Sequence, residues 1–287
     1  MLKAVEDKFP PAHDVAAGDD PATVRATVLR WDGDAGTATE AGDDLVAEEP
    51  LEIRVRGRAI SVTMRTPGHD AELAAGFLLS EGVVRRSGDI LRVEPCGRNA
   101  DGNVLNVVLA PEVFVDFDRL TRHVFAGSSC GLCGKATVDA VRSNLPPAGP
   151  GPVVRAEALA AMPDALRAAQ AAFARTGGLH AAGLFDAAGR LLVAREDVGR
   201  HNAVDKVVGH ALAHGLPAGD LVLLVSGRTS FEILQKALAA GVTVVAAVSA
   251  PSSLAVAFAR DAGQTLIGFL RGRRMNVYSR PDRVRFG

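Results

Sequence analysis

The sequence has few cysteines, few aromatic residues and no excess of charge of either sign. Three cysteines among 287 residues do not make a disulfide framework, and such usage is typical of a reducing compartment. A net charge of −1 gives no whole-chain indication of nucleic acid or an anionic membrane as a partner. The longest apolar runs, such as residues 242–248, have the length of a strand, and the first residues lack the apolar stretch of a signal peptide. We therefore expect a cytoplasmic protein with no membrane and no nucleic acid partner.

The remaining composition is that of a globular protein with a substantial core. Hydrophobic residues make up 48% of the chain and charged residues 23%, and the length suits one large or two medium domains. Composition and turn residues predict four parts. They are a flexible tail at 1–20, a smaller α+β domain at 21–125, a segment at 126–152 with a C-x-x-C loop, a helix and a linker, and an α/β domain at 153–287.

Alternation of apolar and polar residues predicts most of the smaller domain. The strongest signal is a hairpin, because two alternating runs flank the turn-like residues 56–58. A polar, acidic loop is expected at 33–44. The other predicted elements are strands at 22–31, 51–55, 59–64, 90–93 and 104–109 and a short helix at 70–79.

In the larger domain, helical segments alternate with apolar, β-branched runs. This order predicts a layered α/β unit with a largely parallel sheet. The proline- and glycine-rich run at 146–152 precedes it and is the most linker-like stretch of the chain. The predicted strands are 180–185, 191–194, 221–225, 242–248 and 265–270, and the predicted helices are 157–175, 201–214, 231–239 and 254–262.

Two of the three cysteines, Cys130 and Cys133, lie together in the glycine-rich run 127–135, before a helix-like segment. Thiols at the start of a helix have lowered pKa values, which makes them nucleophiles. Sulfur or redox chemistry, half of a zinc site and an incidental pair all remain possible interpretations. Zinc needs four ligands and no second C-x-x-C is present. The histidines that could complete a zinc site are His123, His180, His201, His210 and His214.

A second candidate region is the dense polar run at 194–208. On a helix that starts near Gly199, its polar residues share one side and its apolar residues face the core. So many polar types between two apolar segments favour a functional site, although a salt-bridged helix start gives the same pattern. The polar side holds Asn202, Asp205 and Lys206, and the apolar side holds Ala203, Val204 and Val207.

Several runs together resemble the FdhD family, the accessory sulfurtransferases of formate dehydrogenase. The resemblance covers roughly residues 50 to 280 in consistent order. The matching runs are 130–133, 176–180, 196–206, 226–232, 249–253, 268–271 and 276–278.

The resemblance implies a fold, an activity and a set of partners. The fold is a cytidine-deaminase-like layered α/β domain beside a smaller α+β domain, in a homodimer. A cysteine desulfurase supplies sulfur as a persulfide, which passes to the molybdenum or tungsten bis-guanine-dinucleotide pterin cofactor for formate dehydrogenase. Cys130 would carry the persulfide and Cys133 would assist. The segment that binds the cofactor falls on Phe269, Leu270, Arg271, Gly272, Arg273 and Arg274.

The chemistry of the residues agrees with these implied roles. Pyrophosphates bind arginines and free backbone N–H groups, and a strand-to-helix junction such as residues 226–230 offers both. Here Ser226, Gly227, Arg228 and Thr229 are expected to contact the cofactor, although Thr229 or Ser230 could serve only as a helix N-cap and the arginines could form a solvated basic edge. Further candidates for the pocket or its framework are Arg195, Glu196, Asp197, His201 and Asn202.

Other functions are weaker interpretations of the same residues. Zinc deaminases use H-x-E followed by P-C-x-x-C, and neither motif is present. We therefore predict no resident metal. The main alternative is a chaperone that binds the guanine-dinucleotide cofactor without transferring sulfur.

Overall fold

The computed structural model describes residues 20–97, 102–121 and 145–287. Its first part is a four-stranded sheet in the order β4-β3-β6-β5, with the helix α1 packed on one face. The elements are β3 (Glu49–Val55), β4 (Arg58–Arg65), α1 (Asp70–Ser80), β5 (Ile90–Pro95), β6 (Val104–Leu109) and α2 (Phe117–Thr121). The predicted hairpin is confirmed: β3 and β4 pair antiparallel across Arg56 and Gly57, which have φ of 51° and 77°, as tight hairpin turns require.

An antiparallel hairpin of β1 (Thr23–Asp32) and β2 (Thr37–Val46) precedes this sheet. The acidic loop predicted at 33–44 is therefore wrong over most of its length. Both faces of the hairpin are largely exposed, and Leu29 and Trp31 keep 71% and 72% of their surface. A strand that buries neither face needs no apolar alternation, so the pattern used to find strands could not detect β2.

The second part is a six-stranded sheet in the order β13-β12-β11-β10-β8-β9. Three helices, α5, α6 and α7, contribute to the core on one face, and α3 to the core on the other. The elements are β7 (Val154–Arg155), α3 (Ala156–Ala168), α4 (Ala171–Thr176), β8 (His180–Phe185), β9 (Leu191–Asp197), α5 (Arg200–His214), β10 (Val222–Val225), α6 (Phe231–Ala239), β11 (Val244–Ala247), α7 (Ser253–Ala262), β12 (Thr265–Arg271), β13 (Arg274–Ser279) and β14 (Val284–Arg285).

The predicted two-part α/β fold class is confirmed, but the sheet is not largely parallel. Among the described strands, only the β10–β11 and β11–β12 pairs of this sheet are parallel. The β8–β9 and β12–β13 connections are too short for a crossover, so those pairs are antiparallel. The single helix predicted at 157–175 is two helices, because the chain breaks at Ala169 and Gln170 between α3 and α4.

The two parts share one hydrophobic core, in which α1 packs directly on α5. Glycines lie at the crossing: a Cβ on Gly76 would lie 2.9 Å from Asp205 Cα, and one on Gly209 would lie 2.8 Å from Gly76 N. The predicted polar side of α5 is therefore buried beneath the smaller part, since Asn202, Asp205 and Lys206 are all buried. Amphipathic spacing identified the sheet-facing side but could not reveal a second covered side.

The linker-like run is fastened to the larger part. Buried Arg283 donates hydrogen bonds to the carbonyls of Gly149 and Pro150, and Ala148 N donates to Ala262 O (2.8 Å). No helix in the described ranges is long and apolar enough to cross a membrane.

Candidate functional site: a basic edge of the six-stranded sheet

Five chain segments meet at one edge of the larger sheet. The carboxyl ends of the parallel strands β10, β11 and β12 lie there, together with the end of β9 and the start of β8, which runs antiparallel to β10. Ligands of open α/β sheets bind at the carboxyl ends of the strands, because the following helices begin there. This arrangement makes the edge the first place to look for a site.

Two of the helices that begin at this edge have no side-chain cap. Helix α5 starts after Gly199 and α6 starts after Ser230, and neither residue accepts a hydrogen bond from the first turn through its side chain. By contrast, the Ser252 hydroxyl accepts from Ala255 N (3.2 Å) and caps α7. Uncapped N–H groups and the helix dipole attract anions, so the starts of α5 and α6 favour a negatively charged group.

The two uncapped helices are joined by His201. Its Nε2 lies 2.8 Å from Glu232 Oε2 and 3.3 Å from Ser230 Oγ, so the first turns of α5 and α6 are in direct contact. The hydrogen bond from His201 lowers the pKa of Glu232. The Ser230 hydroxyl, which a simple N-cap would use on its own helix, is directed to His201 instead.

In the loop at 226–230, some residues pack against β8 and others are exposed to solvent. Ser226 accepts from Ala181 N (2.9 Å), and Gly227 lies against His180, because a Cβ on Gly227 would approach His180 Nδ1 to 3.2 Å. Burial, helped by the positive charge of Arg200, lowers the pKa of His180. Arg228 is exposed to solvent at the same edge.

Two buried polar atoms at this edge have no hydrogen-bond partner in the described chain: Arg200 Nε and Thr229 Oγ1. Thr229 is 1% exposed, and its backbone is fixed by bonds to Ala250 O (3.2 Å) and from Ser252 N (3.0 Å). Arg200 lies close enough to His180 and Glu232 to lower the pKa of both. A buried donor without a partner costs about 1–3 kcal/mol, which a ligand oxygen would remove.

The β12–β13 turn extends the edge with further arginines. Phe269 has an unusual φ of 52°, and its N–H donates to Ser249 O (3.1 Å), while Arg271 Nε donates to Val248 O (2.9 Å). The turn borders an open cleft of ≈ 640 Å³. The residues that line this cleft are Phe269, Arg271, Gly272, Arg273, Arg274, Met275 and Asn276.

Leu270 is the exception within this segment. Its side chain is completely buried in the core that packs against α3. The expectation that Leu270 contacts a cofactor therefore does not fit its side chain, because neighbouring strand residues point to opposite faces.

The polar candidates from the run at 194–208 likewise include residues at the edge and residues that are buried or paired elsewhere. Of Arg195, Glu196, Asp197, Asn202 and His201, only His201 presents its side chain at the edge. Arg195 pairs with Glu72 (2.6 Å), and Glu196 accepts from the first N–H groups of α4. Asp197 and Asn202 are buried beneath the turn before α5.

Sequence reasoning gave no role to Arg200 or Glu232, and it named His180 only as a candidate zinc ligand, not as part of this edge. Arg200 is the first residue of α5, after Gly199, and Glu232 is the second residue of α6, after Ser230 and Phe231. A charged residue in the first turn after a glycine or serine is the signal that the sequence offered. His180 gave no such signal, because only the antiparallel pairing of β8 brings its first residue to this edge.

Cys130 and Cys133 lie outside the described residues, as does His123. The described cysteine, Cys96, is unpaired and follows β5 in the smaller part. Within the described ranges, no group of three or more His, Cys, Asp or Glu side chains is placed to hold a metal ion. His210, a candidate zinc ligand, instead lies 2.8 Å from Glu72 and stacks on His214.

The fold and the site together define a class of protein: a two-part α/β protein with a basic edge at the carboxyl ends of parallel strands. Within that class, the chain belongs to the FdhD/NarQ family, whose family model matches residues 46–285. The resemblance seen in the sequence is thereby confirmed.

Known proteins similar to the chain agree with this membership. It is 56% identical over 253 residues to "Sulfur carrier protein FdhD" of Mycobacterium tuberculosis, which covers 84% of this chain and 92% of that protein. It is also 56% identical over 258 residues to the protein of the same name from Streptomyces coelicolor, covering 87% and 92%. A crystal structure of a candidate formate dehydrogenase accessory protein from Desulfotalea psychrophila shares the fold, with a TM-score of 0.74, 24% identity and coverage of 92% and 100%.

Proposed function

We propose that this protein is a sulfur carrier for formate dehydrogenase, which delivers persulfide sulfur to a cofactor bound through its phosphates. The observation that carries the proposal is the edge where two uncapped helix starts meet the unpartnered atoms Arg200 Nε and Thr229 Oγ1. Helix N-termini and arginines are the groups that bind phosphate oxygens. The names of the relatives supply the sulfur-carrying half of the proposal.

The acceptor we propose is the bis-guanine-dinucleotide pterin cofactor of molybdenum or tungsten, bound as a substrate. It carries two pyrophosphates, and the edge offers two groups of cations. One group holds Arg200 and Arg228 around the starts of α5 and α6, and the other holds the arginines of the β12–β13 turn. Each pyrophosphate would have its own set of donors.

The sulfur step belongs to the thiol pair. We propose that a cysteine desulfurase loads Cys130 with a persulfide and that Cys133 assists its resolution. When an acceptor attacks the outer sulfur, the bond between the two sulfurs breaks and Cys130 leaves as a thiolate, which is faster when the leaving thiol has a low pKa.

Sulfur loading tests the catalytic half of the proposal. The protein, incubated with a cysteine desulfurase and cysteine and then freed of small molecules, should hold cyanide-releasable sulfur, and Cys130→Ala should hold none. Cys96→Ser is the matched control and should load normally. Persulfide on Cys130→Ala would refute the carrier assignment, and absence of sulfur from every variant would favour the cofactor-binding chaperone.

Nucleotide binding tests the other half. Arg271→Ala and Arg273→Ala should each weaken the binding of GDP, because each removes a cation from the cleft. Arg190→Ala is a suitable control, since Arg190 pairs with Asp186 in the turn before β9, at the opposite end of that strand. If both cleft variants bind GDP with unchanged affinity, the cofactor site does not include the β12–β13 turn.

A further inference from the structure

A buried ionic cluster lies directly beneath the start of α5. Asp197 is 0% exposed, and its carboxylate accepts four hydrogen bonds or ionic contacts. Oδ1 accepts from Gly199 N (2.8 Å) and Asn202 Nδ2 (2.9 Å). Oδ2 accepts from Thr66 N (3.2 Å) and Lys206 Nζ (2.7 Å). The charge of Asp197 is thus compensated by the turn before α5, by α5 itself and by the smaller part.

Lys206 and Thr66 complete the cluster. Lys206 is 1% exposed and donates to Thr66 O (2.9 Å) and Glu196 O (3.3 Å). The Thr66 hydroxyl accepts from Val198 N (3.1 Å). Every residue of the turn 197–199 is therefore bonded to this cluster through its backbone or side chain.

The residues after this turn are the ones that reach the basic edge. Arg200, with its unpartnered Nε, and His201, which contacts α6, follow Gly199 without a break. Helix α5 has no side-chain cap. In its first turn, Asn202 donates to Met64 O (2.8 Å), and His201 contacts Ser230 and Glu232 through its side chain. The backbone position from which Arg200 and His201 extend is set by the bonds of the cluster to the turn before them.

We propose that Asp197 and Lys206 are positioning residues for the basic edge: through the turn 197–199 they place Arg200 and His201 for the phosphate groups of the ligand. The inference rests on the proposed function for the identity of the ligand, but not for the placement itself. Neither side chain is exposed at the edge, so both act through the turn 197–199, which carries Arg200 and His201.

The same helix carries a control pair. Asp205 is 3% exposed and accepts from Lys236 Nζ (2.7 Å) and Ser80 Oγ (2.8 Å). It is a buried, lysine-bound aspartate like Asp197, but it lies more than one turn away from the start of α5. A purely structural role predicts that the two aspartates behave alike, whereas positioning predicts that only Asp197 affects the edge.

The test compares Asp197→Asn with Asp205→Asn in the full-length protein, with GDP as the probe. Both variants should lower the thermal unfolding temperature. Only Asp197→Asn should weaken GDP binding, by about tenfold, the effect of misplacing one charge-assisted hydrogen bond. Asp205→Asn should change it less than about twofold. Equal affinities of the two variants would overturn the proposal. If Asp197→Asn does not fold, Thr66→Val, which removes only the bond to Val198 N, replaces it, and an unchanged affinity overturns the proposal equally.

A second measurement needs no ligand. The side-chain NMR signals of His201, assigned with His201→Gln, report its contacts with Ser230 and Glu232. They should shift in Asp197→Asn and stay in place in Asp205→Asn. If the unmodified protein fails to bind GDP, the proposed ligand is wrong, and these signals still decide the positioning: no shift in Asp197→Asn would overturn it.

Discussion

The crossing of α1 and α5 leads to a sharp prediction about stability. A Cβ added at Gly76 would lie 2.9 Å from Asp205 Cα, and a Cβ added at Gly209 would lie 2.8 Å from Gly76 N. Both obstacles are backbone atoms of the opposite helix, so no side-chain rotation can relieve them. Gly76→Ala and Gly209→Ala therefore require the two helices to move apart and to disturb the shared core.

The magnitude follows from two opposing effects. Overpacking a well-filled interior costs up to about 3 kcal/mol, or more where backbone must move, and a helical Gly→Ala change returns about 1 kcal/mol of helix propensity. We expect each substitution to lower the free energy of unfolding by about 2 kcal/mol or more, a large part of the roughly 5–15 kcal/mol typical of a domain.

Urea unfolding measures this change from the midpoint and slope of the transition. Gly219→Ala is the matched control, because its Cβ would meet nothing closer than Gly241 O at 3.7 Å. If Gly76→Ala left the unfolding free energy unchanged, or raised it as helix propensity alone predicts, the close packing of α1 on α5 would be refuted.

Three further predictions concern titratable side chains and their partners. Lys206→Met leaves Asp197 buried without its cation and should cost about 3–5 kcal/mol in urea unfolding, whereas no loss would contradict the buried pair. Arg283→Met should speed proteolysis within 146–152, because both carbonyl bonds to that run are lost. Partial desolvation and the charge of Arg195 lower the pKa of His69, whose side chain keeps 46% of its exposure, from 6.5 to about 4. The unfolded chain therefore binds the extra proton first, and stability should fall as pH drops from about 6.5 to 4, by less than a fully buried histidine would give. His69→Asn, which tolerates the φ of 58° there, should flatten that part of the profile, and an unchanged profile would contradict the assignment.

Much of the fold was predictable because its signals are local. The hairpin at Arg56 and Gly57, helix α6 and the strands β8 to β12 follow from turn residues and apolar runs, whereas β13 was not predicted. The parallel-sheet prediction failed because strand direction depends on connection length, and the helix at 157–175 failed because its break at Ala169 carries no glycine or proline.

The site was predictable only in part. Arg228 and Thr229 were identified from their strand-to-helix junction, and the β12–β13 arginines from the family resemblance. Asp197 and Asn202 looked like equally good site residues, since a dense polar run does not reveal which of its members a second element will cover. Only the structure distinguishes the supporting residues from those at the edge, because it shows Thr66 packed over the start of α5 and bonded to Asp197 and Val198.

The central claim is that the basic edge binds the phosphates of its ligand. It is tested most directly by calorimetric titration of the protein with GDP and with guanosine, followed by competition with inorganic pyrophosphate. We predict that GDP binds, that guanosine binds at least about tenfold more weakly, and that Arg200→Met and Thr229→Val bring the GDP affinity towards that of guanosine. Equal affinity for GDP and guanosine, or full GDP affinity in both variants, would contradict it.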